Sequence, residues 1–88
     1  VLRTGRRRRA GGVEVVRAPG IDGKVRVGLV AGKKVGTAVL RNRIRRRLRR
    51  AVPEAALTSG FDYVIIADRR VADTSFQELV GWIREAGQ

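Results

Sequence analysis

The chain has 88 residues, room for one small domain with a modest core. It carries 20 Lys and Arg against 8 Asp and Glu, a formal net charge of +12, and has neither Cys nor His. Disulfide staples, thiolate or imidazole zinc sites, and Cys–His or Ser–His–Asp catalysis are therefore excluded, while so large a positive charge calls for a polyanionic partner. Only Lys24, Lys33 and Lys34 are lysines and the remaining basic residues are all Arg, the side chain that grips phosphate bidentately and stacks on bases. The longest apolar run, Val64-Ile65-Ile66-Ala67, has strand length and falls far short of a membrane span. The first residues lack the apolar stretch of a signal peptide, so a cytoplasmic location is expected.

Residues 1–12 (VLRTGRRRRAGG) read as a basic, Gly-punctuated arm, flexible on its own. Residues 13–17 (VEVVR) are β-rich and predict a first strand. The Pro-Gly and Asp-Gly pairs in residues 18–23 predict a loop, and residues 24–30 (KVRVGLV) a second strand, so an antiparallel hairpin is the simplest pairing. Residues 32–36 (GKKVG) break that strand, and Thr37 is a plausible N-cap.

From there a helix is predicted to about Val52, because Pro53 disfavours helix in the residue before it. A further short turn is expected over residues 54–57, ended by Thr58-Ser59-Gly60. Residues 61–67 (FDYVIIA) predict a buried central strand and residues 68–73 a loop. Thr74 or Ser75 caps a last helix, with Glu78 three residues after Ser75 giving a capping box. Phe76, Leu79, Val80 and Ile83 form that helix's apolar face, with Trp82 at its edge. No internal repeat is visible. The expectation is a single α+β domain over residues 1–88, with helices packed on one face of a small mixed sheet.

The chemistry lies in the central helix. At 100° per residue, Leu40, Ile44, Leu48, Ala51, Val52 and Ala55 share one stripe that can dock on a sheet. Asn42, Arg43, Arg45, Arg46, Arg47, Arg49 and Arg50 fill the remaining arc. Arg41 projects beside Leu48 and Val52, as an arginine with a buried stem and a fixed head. No acidic residue interrupts this run, although a merely solvated face normally mixes signs and like charges one turn apart repel. A phosphate-binding face accounts for it better. Lys33, Lys34 and Gly36 precede the helix N-terminus, whose free N–H groups also favour an anion. Charge alone does not separate RNA from DNA.

Residues 32–52, GKKVGTAVLRNRIRRRLRRAV, resemble the signature of the bacterial ribonuclease P protein family, roughly K-[VI]-G-x-A-V-x-R-N-R-[IL]-[KR]-R-x-[LI]-R. The flanking strands agree, and the resemblance covers about residues 5–84. It implies an α-β sandwich with a left-handed β-α-β crossover, similar to domain 2 of ribosomal protein S5. It further implies the protein subunit of ribonuclease P, a ribonucleoprotein endonuclease in which the RNA and its Mg²⁺ ions hydrolyse the phosphodiester bond. The protein would bind that RNA and the 5′ leader of precursor tRNA. The family's RNA-contacting positions carry over to Arg41, Asn42, Arg45, Arg46 and Arg49, with Arg43 beside them. Arg50, Lys33 and Lys34 complete the candidate RNA-binding set, and no catalytic or metal-holding residue is assigned to the protein.

Two departures stand out. The family's opening helix, whose aromatics line the leader-binding cleft, is missing or reduced to its end here, and the first strand carries no aromatic. Phe61, Tyr63, Phe76 and Trp82 read as core or core-edge residues. Asp62 and Asp68 flank one strand, but ion pairing or turn capping explains them better than metal binding. Residues 32–36 lack P-loop spacing. A structural RNA-binder of ribosomal type fits the composition equally well and is separated only by the motif at residues 34–49. A major-groove DNA reader fits worse, since no helix-turn-helix partner precedes the helix.

Overall fold

The computed structural model describes residues 6–20, 26–32 and 35–88. Strands β1 (Arg6–Ala10), β2 (Val13–Pro19) and β3 (Arg26–Ala31) lead to helix α1 (Ala38–Ala55). Strand β4 (Phe61–Ala67), a 3-10 turn (Arg69–Ala72) and helix α2 (Phe76–Ala86) follow. The sheet order is β1-β2-β4-β3. The β1–β2 and β2–β4 pairs are antiparallel and β3–β4 is parallel, so β3-α1-β4 is a β-α-β crossover between adjacent strands.

Pairing departs from the simplest sequence reading. β2 and β3 do not form a hairpin, because β4 lies between them. The apolar β4 run takes a neighbour on each side, and a crossover as long as α1 delivers it parallel to β3. Residues 6–10, expected to be a flexible arm or the remnant of a helix, are instead an edge strand. Gly11 and Gly12 form the two-residue link to β2, and Gly11 has φ +52°, a conformation that favours glycine. There is no room for a side chain either, since a Cβ on Gly11 would stand 2.0 Å from Cε2 of Trp82. Lys24 and Val25, expected to begin the second strand, lie outside the described residues.

The register separates the two faces of the sheet. Val13, Val15, Tyr63, Ile65, Ala67 and Ala31 point to one side and are buried with Ile44, Leu48, Ala51 and Ala55 of α1 and Leu79, Val80, Ile83 and Ala86 of α2. Each fully buried Ile or Leu contributes about 1.5–3 kcal/mol. The Tyr63 hydroxyl donates to the Thr58 carbonyl at 2.9 Å. The opposite face carries Glu14, Val16, Ala18, Val64, Ile66, Gly28 and Val30, with no aromatic side chain among the described residues.

α1 runs through Pro53 to Ala55 and ends at Ala56 in the left-handed conformation, φ 50°. Proline removes one N–H from the helix, but Ala51 and Ala55 are both buried against the core and carry the helix on. The segment expected as a loop at residues 68–73 contains the 3-10 turn, capped by the Asp68 side chain. Ser75 caps α2, its Oγ accepting the Glu78 N–H at 3.1 Å, while the Glu78 carboxylate accepts from Thr74 Oγ1. Phe76 is 41% exposed rather than core. It sits in the first turn of α2, where its neighbours on α1 are Arg47, Arg50 and Glu54. No helix among the described residues is long and apolar enough to cross a membrane.

Candidate nucleic-acid interface

The start of α1 is built tightly. Thr37 Oγ1 accepts the Leu40 N–H at 3.3 Å, which satisfies one first-turn donor. Gly36 has φ +141°, and a Cβ there would meet Leu40 Cδ2 at 2.9 Å. Only glycine allows the chain to enter the helix at this angle. Lys33 and Lys34 lie outside the described residues.

Along the helix, Ile44 and Leu48 are fully buried, and Leu40 and Val52 pack partly against the same core. This seam turns the basic arc outward. Asn42, Arg43, Arg46, Arg49 and Arg50 are exposed, whereas Arg41 and Arg45 are half-buried. Arg49 and Val52 stand over Val27 and Leu29 of β3, so one flank of the basic face overhangs that edge of the sheet. Arg41 behaves as its position predicts. Its stem is covered, and its Nε is buried with no hydrogen-bond partner among the described residues. A buried donor left in this state is costly until an acceptor reaches it.

Among the described residues no arginine of α1 makes an ion pair. Arg7–Glu14 at 3.9 Å, Arg9–Asp68 at 3.8 Å and Arg70–Asp68 at 2.8 Å pair elsewhere in the molecule. Hydrogen bonding to Asp68, and then its charge, raise the Arg70 pKa above the ordinary arginine value. Asp68 is therefore a turn cap and an ion-pair partner.

Arg47 is the exception on the arc. Its Nη1 donates to the carbonyls of Val71 and Ala72, both at 2.8 Å, and its Nη2 to that of Thr74. It ties α1 to the 3-10 turn and is not free to grip a ligand. The helical repeat shows that Arg47 lies off the apolar seam, but it cannot show a partner 24 residues away. The sequence reading also missed the order of residues 6–9, because a run of identical residues has no alternation to betray a strand.

The arrangement is a preformed, uncompensated guanidinium surface with one amide side chain and a helix N-terminus at one end. Comparison with known proteins gives it a family. A family model described as Ribonuclease P matches residues 1–86. The chain belongs to the ribonuclease P protein family. It is 45% identical over 56 residues to the ribonuclease P protein component of Bacillus cereus (strain B4264), a match covering 61% of this chain and 49% of that relative. The corresponding Bacillus anthracis protein (strain CDC 684 / NRRL 3495) is also 45% identical over 56 residues, with 47% of its length covered. The chain thus spans about half the length of the curated relatives it matches.

The RNase P protein from Thermotoga maritima superimposes with a TM-score of 0.84 at 20% identity, over 97% of this chain and 83% of that one. The Staphylococcus aureus RNase P protein gives 0.76 at 25% identity, over 96% and 79%. The small α+β fold, a four-stranded mixed sheet with two helices, is that of bacterial ribonuclease P proteins.

Proposed function

We propose that this chain acts as the protein subunit of ribonuclease P in the cytoplasm. In this reading it binds the catalytic RNA and the 5′ leader of precursor tRNA and assists removal of the leader to give the mature tRNA 5′ end. The observation that carries the proposal is the exposed arginine face of α1, held outward by a buried seam and unpaired with any carboxylate among the described residues.

Within it, Arg43, Arg46, Arg49 and Arg50 neutralise phosphates, and each contact releases condensed counterions. Asn42 reaches a sugar or base edge, and the half-buried Arg41 and Arg45 hold their charges in fixed positions at the sheet edge. Lys33 and Lys34 add charge ahead of the helix N-terminus. Lowering the repulsion between two RNA chains is work that Mg²⁺ would otherwise do at higher concentration.

Mg²⁺ would be held mainly by RNA phosphates, where it supplies Lewis-acid and water-activating chemistry for hydrolysis. The protein's side chains do not suit the ion, because no three carboxylates gather among the described residues and Asp68 and Glu14 already face arginines. The open sheet face lacks the aromatic side chains on which unpaired bases would stack, so leader binding here relies on charge more than on stacking.

Reconstitution with a bacterial ribonuclease P RNA tests the proposal. The chain should bind that RNA and lower the Mg²⁺ concentration needed for cleavage of precursor tRNA. Failure to do either would remove the function.

A further inference from the structure

A second basic surface lies along the edge of the sheet farthest from β3, the strand toward which α1 packs. Arg6, Arg7, Arg8 and Arg9 occupy four consecutive positions of β1, and all four are exposed. β1 is an edge strand, and among the described residues it pairs only with β2. Alternation sends Arg7 and Arg9 to the face opposite the helices, and Arg6 and Arg8 to the helix side. Nearby negative charge is thin. Glu14 reaches Arg7 at 3.9 Å and Asp68 reaches Arg9 at 3.8 Å, both long contacts between an exposed arginine and a half-buried carboxylate. Asp68 is already engaged with Arg70 at 2.8 Å.

The strand also places like charges face to face. Arg6 is directly opposite Arg17, a cross-strand pairing that destabilises a sheet. Arg17 is drawn over the Phe61 ring, 4.5 Å from its centroid, rather than toward a carboxylate. An edge strand needs some charge to prevent pairing with other chains. Four arginines in a row, one of them opposed by a fifth, exceed that need and cost stability in the isolated protein.

We propose that β1 is a second RNA-backbone site, gripping a stretch of phosphodiester other than the one held by α1. The strand order puts β1 three positions from β3, roughly 14 Å at ~4.8 Å per strand. α1 packs toward β3 and α2 toward β1. That separation exceeds the ~8–10 Å over which charges act in physiological salt, so the two surfaces bind independently. The exposed backbone edge adds N–H donors that a phosphate oxygen can accept. The inference rests on the RNA-binding reading above and extends it to an element outside the arginine helix.

The test compares wild type with a combined Arg6→Gln, Arg7→Gln and Arg9→Gln variant for binding to a ribonuclease P RNA across a salt series. Arg8 stays because its Nη1 donates to the Gln88 carbonyl at 3.1 Å. The variant should lose about 2 units of the log K against log salt slope, additively with losses from α1 substitutions. The matching Arg→Lys triple variant should keep the wild-type slope. If the Gln triple variant melts early, the Arg7→Gln, Arg9→Gln double variant reads the same effect, with a loss of about 1–2 units.

A wild-type slope in a folded Gln variant overturns the site. If that variant also self-associates in sedimentation, protecting the edge is the arginines' whole role. A slope lost in the Lys variant would likewise rule out a charge-based site. Wild-type protein that binds no ribonuclease P RNA would instead sink the subunit reading.

Discussion

Arg47 commits its guanidinium to three backbone carbonyls, those of Val71, Ala72 and Thr74. Arg46 and Arg49 lie on the same helix and have the same chemistry, yet both point to solvent. The difference is set by what lies across from each position, here the 3-10 turn that follows β4. Hydrogen bonds from a charged donor contribute more than neutral ones, and removing such a donor strands its acceptors. Arg47→Ala should therefore destabilise the fold by about 2–3 kcal/mol. For a domain of this size that lowers Tm by roughly 10–20 °C, since each kcal/mol moves Tm by about 4–8 °C. The salt slope of RNA binding should not change. A urea titration and a binding series on the same variant check both halves, and a lowered slope with wild-type stability would reassign Arg47 to the interface.

At the scale of the element, α1 works because two periodicities coexist in one sequence. Ile44, Leu48, Ala51 and Ala55 recur at helical spacing and bury completely or nearly so, and every position between Ile44 and Ala51 except Leu48 is basic. Arg46→Ala and Arg49→Ala should each weaken RNA binding and lower the salt slope by about 0.7–0.9 units, the value of one phosphate contact. Both should leave Tm nearly unchanged, because neither side chain has a hydrogen-bond or ion-pair partner among the described residues; filter binding at several salt concentrations reads the slope. An unchanged slope would remove that residue from the interface.

This helix was legible in the sequence for the same reason, as were the Thr37 cap, the start of α2 at Thr74 or Ser75, of which Ser75 is the cap, and the central strand β4. Each is encoded by residues close together in the chain. The partners of the strands were not legible. β2 has the composition of a strand, but nothing in residues 13–19 says that its neighbours are β1 and β4 instead of β3. The strand nature of residues 6–10 depended on Gly11 and Gly12 making a tight link beneath Trp82, a contact across some seventy positions of sequence. Phe76 failed for a related reason. Its place on the apolar face of α2 is correct, but the part of α1 it meets, Arg47, Arg50 and Glu54, is charged.

For the whole molecule the governing quantity is a net charge of +12 on 88 residues. The ion pairs among the described residues are few and lie at the surface with their arginines exposed, and surface pairs contribute about 0–1 kcal/mol each. Repulsion between arginines therefore outweighs attraction across the surface, both within the α1 arc and between Arg6 and Arg17. Salt screens both terms, and the larger one decides the sign. Raising the salt concentration should stabilise the isolated protein, by about 1 kcal/mol if screening removes a few tenths from each of several like-charge pairs, and Tm should rise by about 4–8 °C. RNA affinity should fall steeply over the same range as counterion release loses its driving force. Thermal melts and binding curves in the same buffers would show these opposite trends. A Tm that falls with added salt would mean that attractive pairs hold the surface together, and that neither arginine surface is electrostatically strained toward a polyanion.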